Sequence, residues 1–331
     1  MTFREIIRIL DEQRAQRILL LCHQNSDPDA VCSAYAFQGL LQKIKPNLIV
    51  EIGTGEGISR LSKNIFRFLP ISINLNPDVE QAQTIILLDT NTIQQLGALA
   101  ERVLEAKVPI IVVDHHSSHP ETQKICNLCI VNEEASSTCN IIYNFYKEQY
   151  LKPGTNEAKA LFLGMAFDTR HFVLANSLTF KAVAEIVDLG VNAPEVLGIL
   201  SMPMDFSERV ARIKACQRAQ VVRINNWIIA LSKVSAFQAS AARALTDLGA
   251  HVSAVAGQKD DTVELSLRCT REFVEKTKIH LGKDIAKQLG EALRGQGGGH
   301  AMAAGVNGKG DAEAGLKICL KLLKDNLPKK E

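Results

Sequence analysis

Long apolar runs are missing from this 331-residue chain: no stretch approaches the roughly 20 consecutive apolar residues of a membrane span. The opening segment "MTFREIIRILDEQRAQR" is charged and amphipathic, so it reads as a surface helix and not as a secretory signal. Cysteine is present but unorganised. Eight residues are scattered without the even spacing of a disulfide framework, which suits a reducing compartment and a cytoplasmic location. The single CxxC, Cys126 and Cys129, lacks the second pair that a structural zinc would need. Aromatics make up only 5%, and net charge is only +2; together these argue against tracking along long nucleic acid, which takes a basic, aromatic-rich stripe. Internal repeats and low-complexity linkers are also absent.

What is there is a core. Apolar residues form 46% of the chain, enough for two domains. Charge is uneven: residues 1–190 hold 17 Lys+Arg against 21 Asp+Glu, a net −4, and residues 191–331 hold 21 against 15, a net +6. The first part therefore suits cations and the second anions.

Short apolar runs predict buried strands at 17–23, 47–53, 84–89 and 108–114, with a weaker one at 127–132. Helical spacing fits 29–44, 138–150, 156–167 and 179–190. Strands alternating with helices imply an α/β domain: a parallel sheet with helices on both faces. After Gly190 the pattern changes. Helices over 191–220 read as a connection, followed by a smaller α+β domain over 221–331. In that domain we expect a hairpin turning at Asn225-Asn226, a helix near 237–248, strands at 251–258 and 263–269, and helices near 283–293 and 311–325. The Gly-rich "GTGEGISR" (53–60) matches neither dinucleotide nor P-loop patterns and reads as a turn.

In parallel sheets, ligands bind beyond the carboxyl ends of the strands. There the chain puts His23, Asp27 and Asp29 after the first strand, Asp89 after the third, and Asp114-His115-His116 in "VVDHHSS" after the fourth. Asp168 closes the helix over 156–167. One Asp after a strand is usually a turn or cap residue, and Asp29 by itself would cap a helix well. Five aspartates at one sheet edge would repel strongly without a cation. Imidazole and carboxylate donors with no required thiolate suit two manganese ions best, with magnesium, cobalt or iron as substitutes, since magnesium prefers all-oxygen shells and zinc fewer, softer donors. Such a pair serves phosphoester hydrolysis.

At these residues the chain resembles the DHH phosphoesterases that carry a DHH-associated C-terminal domain. His23-x3-Asp27-x-Asp29 is similar to the family's first motif, Asp89 to the second, "DHH" to the third, and Asp168 in "FDTRHF" to the fourth. "EEASST" (133–138) is similar to the Ser/Thr segment that usually follows. "LSLRC" (265–269) and "GGGHAMAAG" (297–305) are similar to the arginine and glycine-rich motifs of the associated domain. The resemblance implies one metal at His23, Asp27 and Asp89, a second at Asp29, Asp89, His115 and Asp168, and Asp89 as bridge. It implies that Asp114 orients a histidine and that His116 faces the substrate. It also implies a substrate clamp of Arg268, Gly297, Gly298, Gly299 and His300 across a cleft, with consecutive glycine amides forming an anion nest.

Three departures from the family pattern stand out: Pro28 between the two aspartates, Cys32-Ser33, and Arg170-His171 after Asp168. The implied activity is manganese-dependent hydrolysis of short single-stranded oligonucleotides to nucleoside monophosphates, with 3′-phosphoadenosine 5′-phosphate as a second substrate. Alternatives are a RecJ-like 5′-to-3′ exonuclease, an inorganic pyrophosphatase, and a nucleotide sensor without turnover. A homodimer fits the chain without any residue specifying it.

Overall fold

A computed structural model describes residues 2–117, 119–201 and 204–328; Ser118, the last residue of "VVDHHSS", lies outside them. The chain forms two compact units, one on either side of residues 202–203.

In the first unit the strands β1 (Arg17–Cys22), β2 (Ile49–Gly53), β3 (Thr84–Leu88), β4 (Ile110–Asp114) and β5 (Leu128–Val131) form one sheet in the order β2-β1-β3-β4-β5. Every pairing is parallel. The central strands β1, β3 and β4 are buried on both faces, which explains why they read as continuous apolar runs. Ile18, Leu20, Ile86, Leu88, Ile111 and Val113 face one layer of the core. Leu19, Leu21, Ile85, Leu87, Ile110 and Val112 face the other.

The helices are α1 (Phe3–Glu12), α2 (Pro28–Ile44), α3 (Arg60–Ile65), α4 (Ala100–Glu105), α5 (Pro120–Ile125), α6 (Thr138–Glu148), α7 (Thr155–Asp168), α8 (Ser177–Asp188) and α9 (Ala193–Leu200). The chain leaves β1 toward β2 on one side and returns to β3 on the other. The switch point between β1 and β3 is therefore where a ligand crevice forms.

The second unit begins with α10 (Phe206–Gln217). Its strands are β6 (Gln220–Ile224), β7 (Trp227–Lys233), β8 (Val252–Lys259), β9 (Thr262–Cys269), β10 (Gln296–Gly299) and β11 (Ala303–Lys309). They form a mixed sheet ordered β10-β11-β9-β8-β7-β6. Only β7–β8 is parallel. The remaining helices are α11 (Gln238–Asp247), α12 (Arg271–Thr277), α13 (Lys287–Ala292) and α14 (Ala312–Asn326), with a π-helical turn at Leu281–Ala286 leading into α13. The hairpin turn at Asn225-Asn226 is present, and Asn225 takes the left-handed φ of +54° that such turns favour.

The helices expected between the domains divide. Val196, Ile199 and Leu200 of α9 join the first unit's core, and the Asn64 side chain donates to the Ile199 carbonyl at 2.9 Å. Ala215 of α10 is buried in the second unit, where its carbonyl accepts the Ser232 hydroxyl at 2.8 Å.

One expectation needs correction. The glycine run Gly297–Gly299 is not an anion nest at a turn but strand β10, paired antiparallel with β11. Extended backbone turns successive N–H groups to opposite edges, so consecutive amides do not converge. Glycine is required for packing: a Cβ on Gly297 would strike the Ala286 carbonyl, and one on Gly282 would strike the Gly299 carbonyl. Sequence reasoning missed this strand because glycine has little strand propensity and carries no alternating pattern.

Candidate metal centre

β1, β3 and β4 lie side by side, and their carboxyl ends deliver most of the polar cluster. His23 follows β1 directly. Asp27 caps α2, its Oδ1 accepting the N–H groups of Asp29 at 3.0 Å and Ala30 at 3.1 Å. Pro28 occupies the first helical position, where its missing N–H costs nothing. Asp89 follows β3 with φ +54°, a left-handed conformation that Asp tolerates better than most residues. Asp114 ends β4, and Asp168 ends α7.

These residues converge on Asp89. Ligand atoms of His23, Asp27 and Asp89 lie within 4.8 Å of one another, as do those of Asp29, Asp89, His115 and Asp168. These two groups hold the residues expected from the sequence; Asp114, His115 and His116 form a third such group with Asp89, which belongs to all three. His23 Nε2 is 3.8 Å from Asp27 Oδ1 and 3.9 Å from Asp89 Oδ2. His115 Nε2 is 3.6 Å from Asp89 Oδ1 and 2.9 Å from Asp168 Oδ2.

The electrostatics are those of an unneutralised anionic pocket. Burial, followed by Asp27, Asp114 and Asp168, pushes the Asp89 carboxyl up to about 7. Burial, then Asp168 and Asp89, raises Asp29 well above the ordinary carboxylate range. Burial works against a charged His23, yet the Asp27 carboxylate beside it prevails and raises it to about 9. The same opposition acts at His115, where burial disfavours charge and Asp168 raises its affinity for a proton.

Does this donor set fit divalent cations? His115 Nε2 is buried and has no hydrogen-bond partner; it meets Asp168 at 2.9 Å without hydrogen-bond alignment. A buried nitrogen aimed at carboxylates is costly unless something binds it. Oxygen and imidazole donors gathered around Asp89 suit hard or borderline divalent ions.

Asp114 does different work. Its Oδ1 accepts from the His116 backbone N–H at 2.8 Å and lies 2.9 Å from His116 Nδ1. It therefore orients His116 and not the neighbouring ring of His115. This contact raises His116 to about 9. The His116 side chain is 52% exposed, against 14% for His115, so the adjacent rings have different surroundings.

Sequence reasoning missed the support around Asp29. Asp29 Oδ2 accepts the Thr138 N–H at 2.6 Å and Oδ1 accepts the Cys139 N–H at 3.0 Å, so the first turn of α6 grips this carboxylate. The Thr138 hydroxyl donates to Asp89 Oδ1 at 3.0 Å. "EEASST" marked the segment without giving this role. Gly164 of α7 makes room, since a Cβ there would come within 2.6 Å of Asp29 Oδ1.

Arg170, His171 and Phe172 take successive positive φ values of +51°, +57° and +69°. The turn is held by His171 N–H to Ala166 O at 2.6 Å, Leu174 N–H to Thr169 O at 2.9 Å, and the edge-on packing of Phe172 against Phe162.

In the second unit, Arg268 lies in β9 and pairs across to Ala303. His300 is exposed in the β10–β11 connection, its N–H bonded to the Ala303 carbonyl at 2.8 Å. Register thus brings Arg268 and His300 to the same end of this sheet. Arg268 Nε is buried without a hydrogen-bond partner.

Residues 17–165 match the model of the DHH family, N-terminal domain, and residues 231–327 match the DHHA1 domain. The uncharacterized protein MJ0988 of Methanocaldococcus jannaschii is 34% identical over 303 residues, covering 91% of this chain and 90% of that one. The cyclic-di-AMP phosphodiesterase GdpP of Geobacillus thermodenitrificans is 27% identical over 222 residues, 62% of this chain and 33% of GdpP. A probable manganese-dependent inorganic pyrophosphatase of Bacillus pumilus is 25% identical over 293 residues, covering 82% and 88%.

Proposed function

Because the chain belongs to the DHH family of phosphoesterases and carries a DHHA1 domain, we propose that it hydrolyses short single-stranded oligonucleotides to nucleoside monophosphates, and also 3′-phosphoadenosine 5′-phosphate. The observation that carries this reading is that Asp89 belongs both to the group with His23 and Asp27 and to the group with Asp29, His115 and Asp168. His23, Asp27 and Asp89 would hold one manganese ion; Asp29, Asp89, His115 and Asp168 would hold the other. When bound, the pair would acidify water and offset the charge of a phosphoryl group.

The chain's own residues supply the rest. Thr138 and Cys139 amides fix Asp29, and the Thr138 hydroxyl fixes Asp89. Asp114 accepts the Nδ1 proton of His116, which leaves Nε2 as the atom that meets substrate. His116, oriented by Asp114, would donate a proton toward the leaving oxygen. Arg268 and His300 grip the nucleotide, consistent with the unpartnered Arg268 Nε.

The test is a substrate panel. With manganese, the protein should cleave a pentanucleotide at least tenfold faster than a long single strand. Equal rates on both would favour an exonuclease that tracks along long strands. Likeness to a probable manganese-dependent pyrophosphatase over 82% of this chain favours a second reading, inorganic pyrophosphate hydrolysis. Turnover of pyrophosphate without turnover of any oligonucleotide would select it.

A further inference from the structure

The glycine-rich "GTGEGISR" (53–60) is more than a turn, because it packs behind a metal ligand. β1 pairs with β3 as far as Cys22, so the His23 carbonyl lies just beyond the ladder. There it needs another partner, and two hydroxyls supply it. Ser26 Oγ donates to it at 2.6 Å and Thr54 Oγ1 at 3.0 Å, and both residues are fully buried. The His23 ring is aimed from the same stretch of backbone. Its Nδ1 lies 2.8 Å from the Gln24 carbonyl, which can only accept, so Nδ1 carries a proton and Nε2 is left for a ligand bond. Gln24 N–H donates in turn to the Gln95 carbonyl at 2.6 Å.

The loop fixes the path of residues 23–26. Ser26 N–H donates to the Gly57 carbonyl at 3.4 Å, and the Ser26 carbonyl accepts the Ser59 N–H at 3.0 Å and the Ser62 hydroxyl at 2.9 Å. On its other side the loop meets the segment after β3, where Glu56 Oε1 accepts the Ala98 N–H at 3.0 Å. Glycine permits both approaches. Gly57 takes φ +99°, and a Cβ on Gly55 would come within 2.7 Å of the Leu96 carbonyl. The other ligand group is held differently, since Asp29 is gripped from α6 by the Thr138 and Cys139 amides. Apart from the shared Asp89, the two groups therefore have separate supports.

We propose that Thr54 is a positioning residue for one of the two cation sites: its hydroxyl, with that of Ser26, fixes the His23 carbonyl and so the aim of His23 Nε2. This rests on the reading that His23, Asp27 and Asp89 hold a divalent ion, and not on which phosphoester is cleaved. Groups that orient a metal-binding histidine commonly change metal affinity by about 10–100-fold when removed. The effect of losing the Thr54 hydroxyl should fall on the His23 site and spare the other.

The test is calorimetric titration of the metal-free full chain with manganese. Wild type should take up two equivalents. Thr54→Val, which keeps the shape and removes the hydroxyl, should weaken one of them about tenfold or more and leave the other within about twofold. Thr54→Ser, which restores the donor, should return to within about threefold of wild type. In a His23→Ala background, Thr54→Val should change nothing further, because the ligand it aims is gone. A cooperative thermal transition in chelator, kept by each variant, shows that it is folded. Wild-type affinities in Thr54→Val, equal weakening of both equivalents, no rescue by Thr54→Ser, or an undiminished effect in the His23→Ala background would each overturn the proposal. Weakening at one site, with no wild-type hydrolysis of any nucleotide, would keep Thr54 in this role and reject the substrate reading. No manganese uptake by wild type would overturn both.

Discussion

His115 and His116 are adjacent in sequence and their ring centroids are 4.1 Å apart, yet one bond separates their roles. Asp114 takes the Nδ1 side of His116 and leaves His115 Nε2 among the carboxylates. His116→Gln should therefore lower kcat by about 10²–10³-fold, in keeping with loss of a general acid, while leaving manganese affinity within a few-fold. Steady-state kinetics beside a manganese titration separates the two effects. A matching collapse of metal binding would place His116 among the ligands.

At this scale the sequence was most informative about charge. All six residues read as metal ligands, and Asp114 and His116 beside them, are Asp or His, whose clustering is hard to explain without a cation. It was least informative about what holds them. Backbone amides of Thr138 and Cys139 carry no sequence signature, and the left-handed turn at Arg170–Phe172 is made of residues that ordinarily avoid it.

Among the elements, the central strands β1, β3 and β4 were most legible because burial on both faces leaves an apolar run in each, whereas edge strand β2 carries Glu51. Strand ends shifted by a residue or two: the run at 108–114 pairs only from Ile110. The pair β10 and β11 was not legible, since Gly297–Gly299 and Ala303–Gly305 offer hardly any side-chain pattern for a strand. What makes β10 a strand is its pairing with β11 and the absence of Cβ atoms against the π-helical turn, both of them tertiary facts. The same absence leaves the Gly298 side of the strand open, where a Cβ would meet nothing within 4 Å.

For the whole molecule, the carboxylate cluster makes stability depend on pH and metal together. Asp89 is raised to about 7, so its contribution is full below the unfolded carboxylate value of about 4 and is lost as pH rises through 7. His23 and His116 are raised to about 9, so theirs is full below about 6.5 and is lost as pH rises through 9. The terms share a sign. Metal-free protein should therefore melt at progressively lower temperature between pH 5 and pH 9. Manganese should reverse most of that decline, because it binds the ionised form and replaces the protons. Thermal unfolding in chelator and in manganese across this range reads both effects, and a melting temperature that rises with pH in chelator would contradict the cluster's electrostatics.

The central claim is that Asp89 joins two cation sites, and counting the ions tests it most directly. Calorimetric titration of metal-free protein with manganese at neutral pH should give two equivalents per chain, and Asp89→Asn should lose tight binding at both sites while remaining folded. A single equivalent in the wild type, or two retained in Asp89→Asn, would contradict the account.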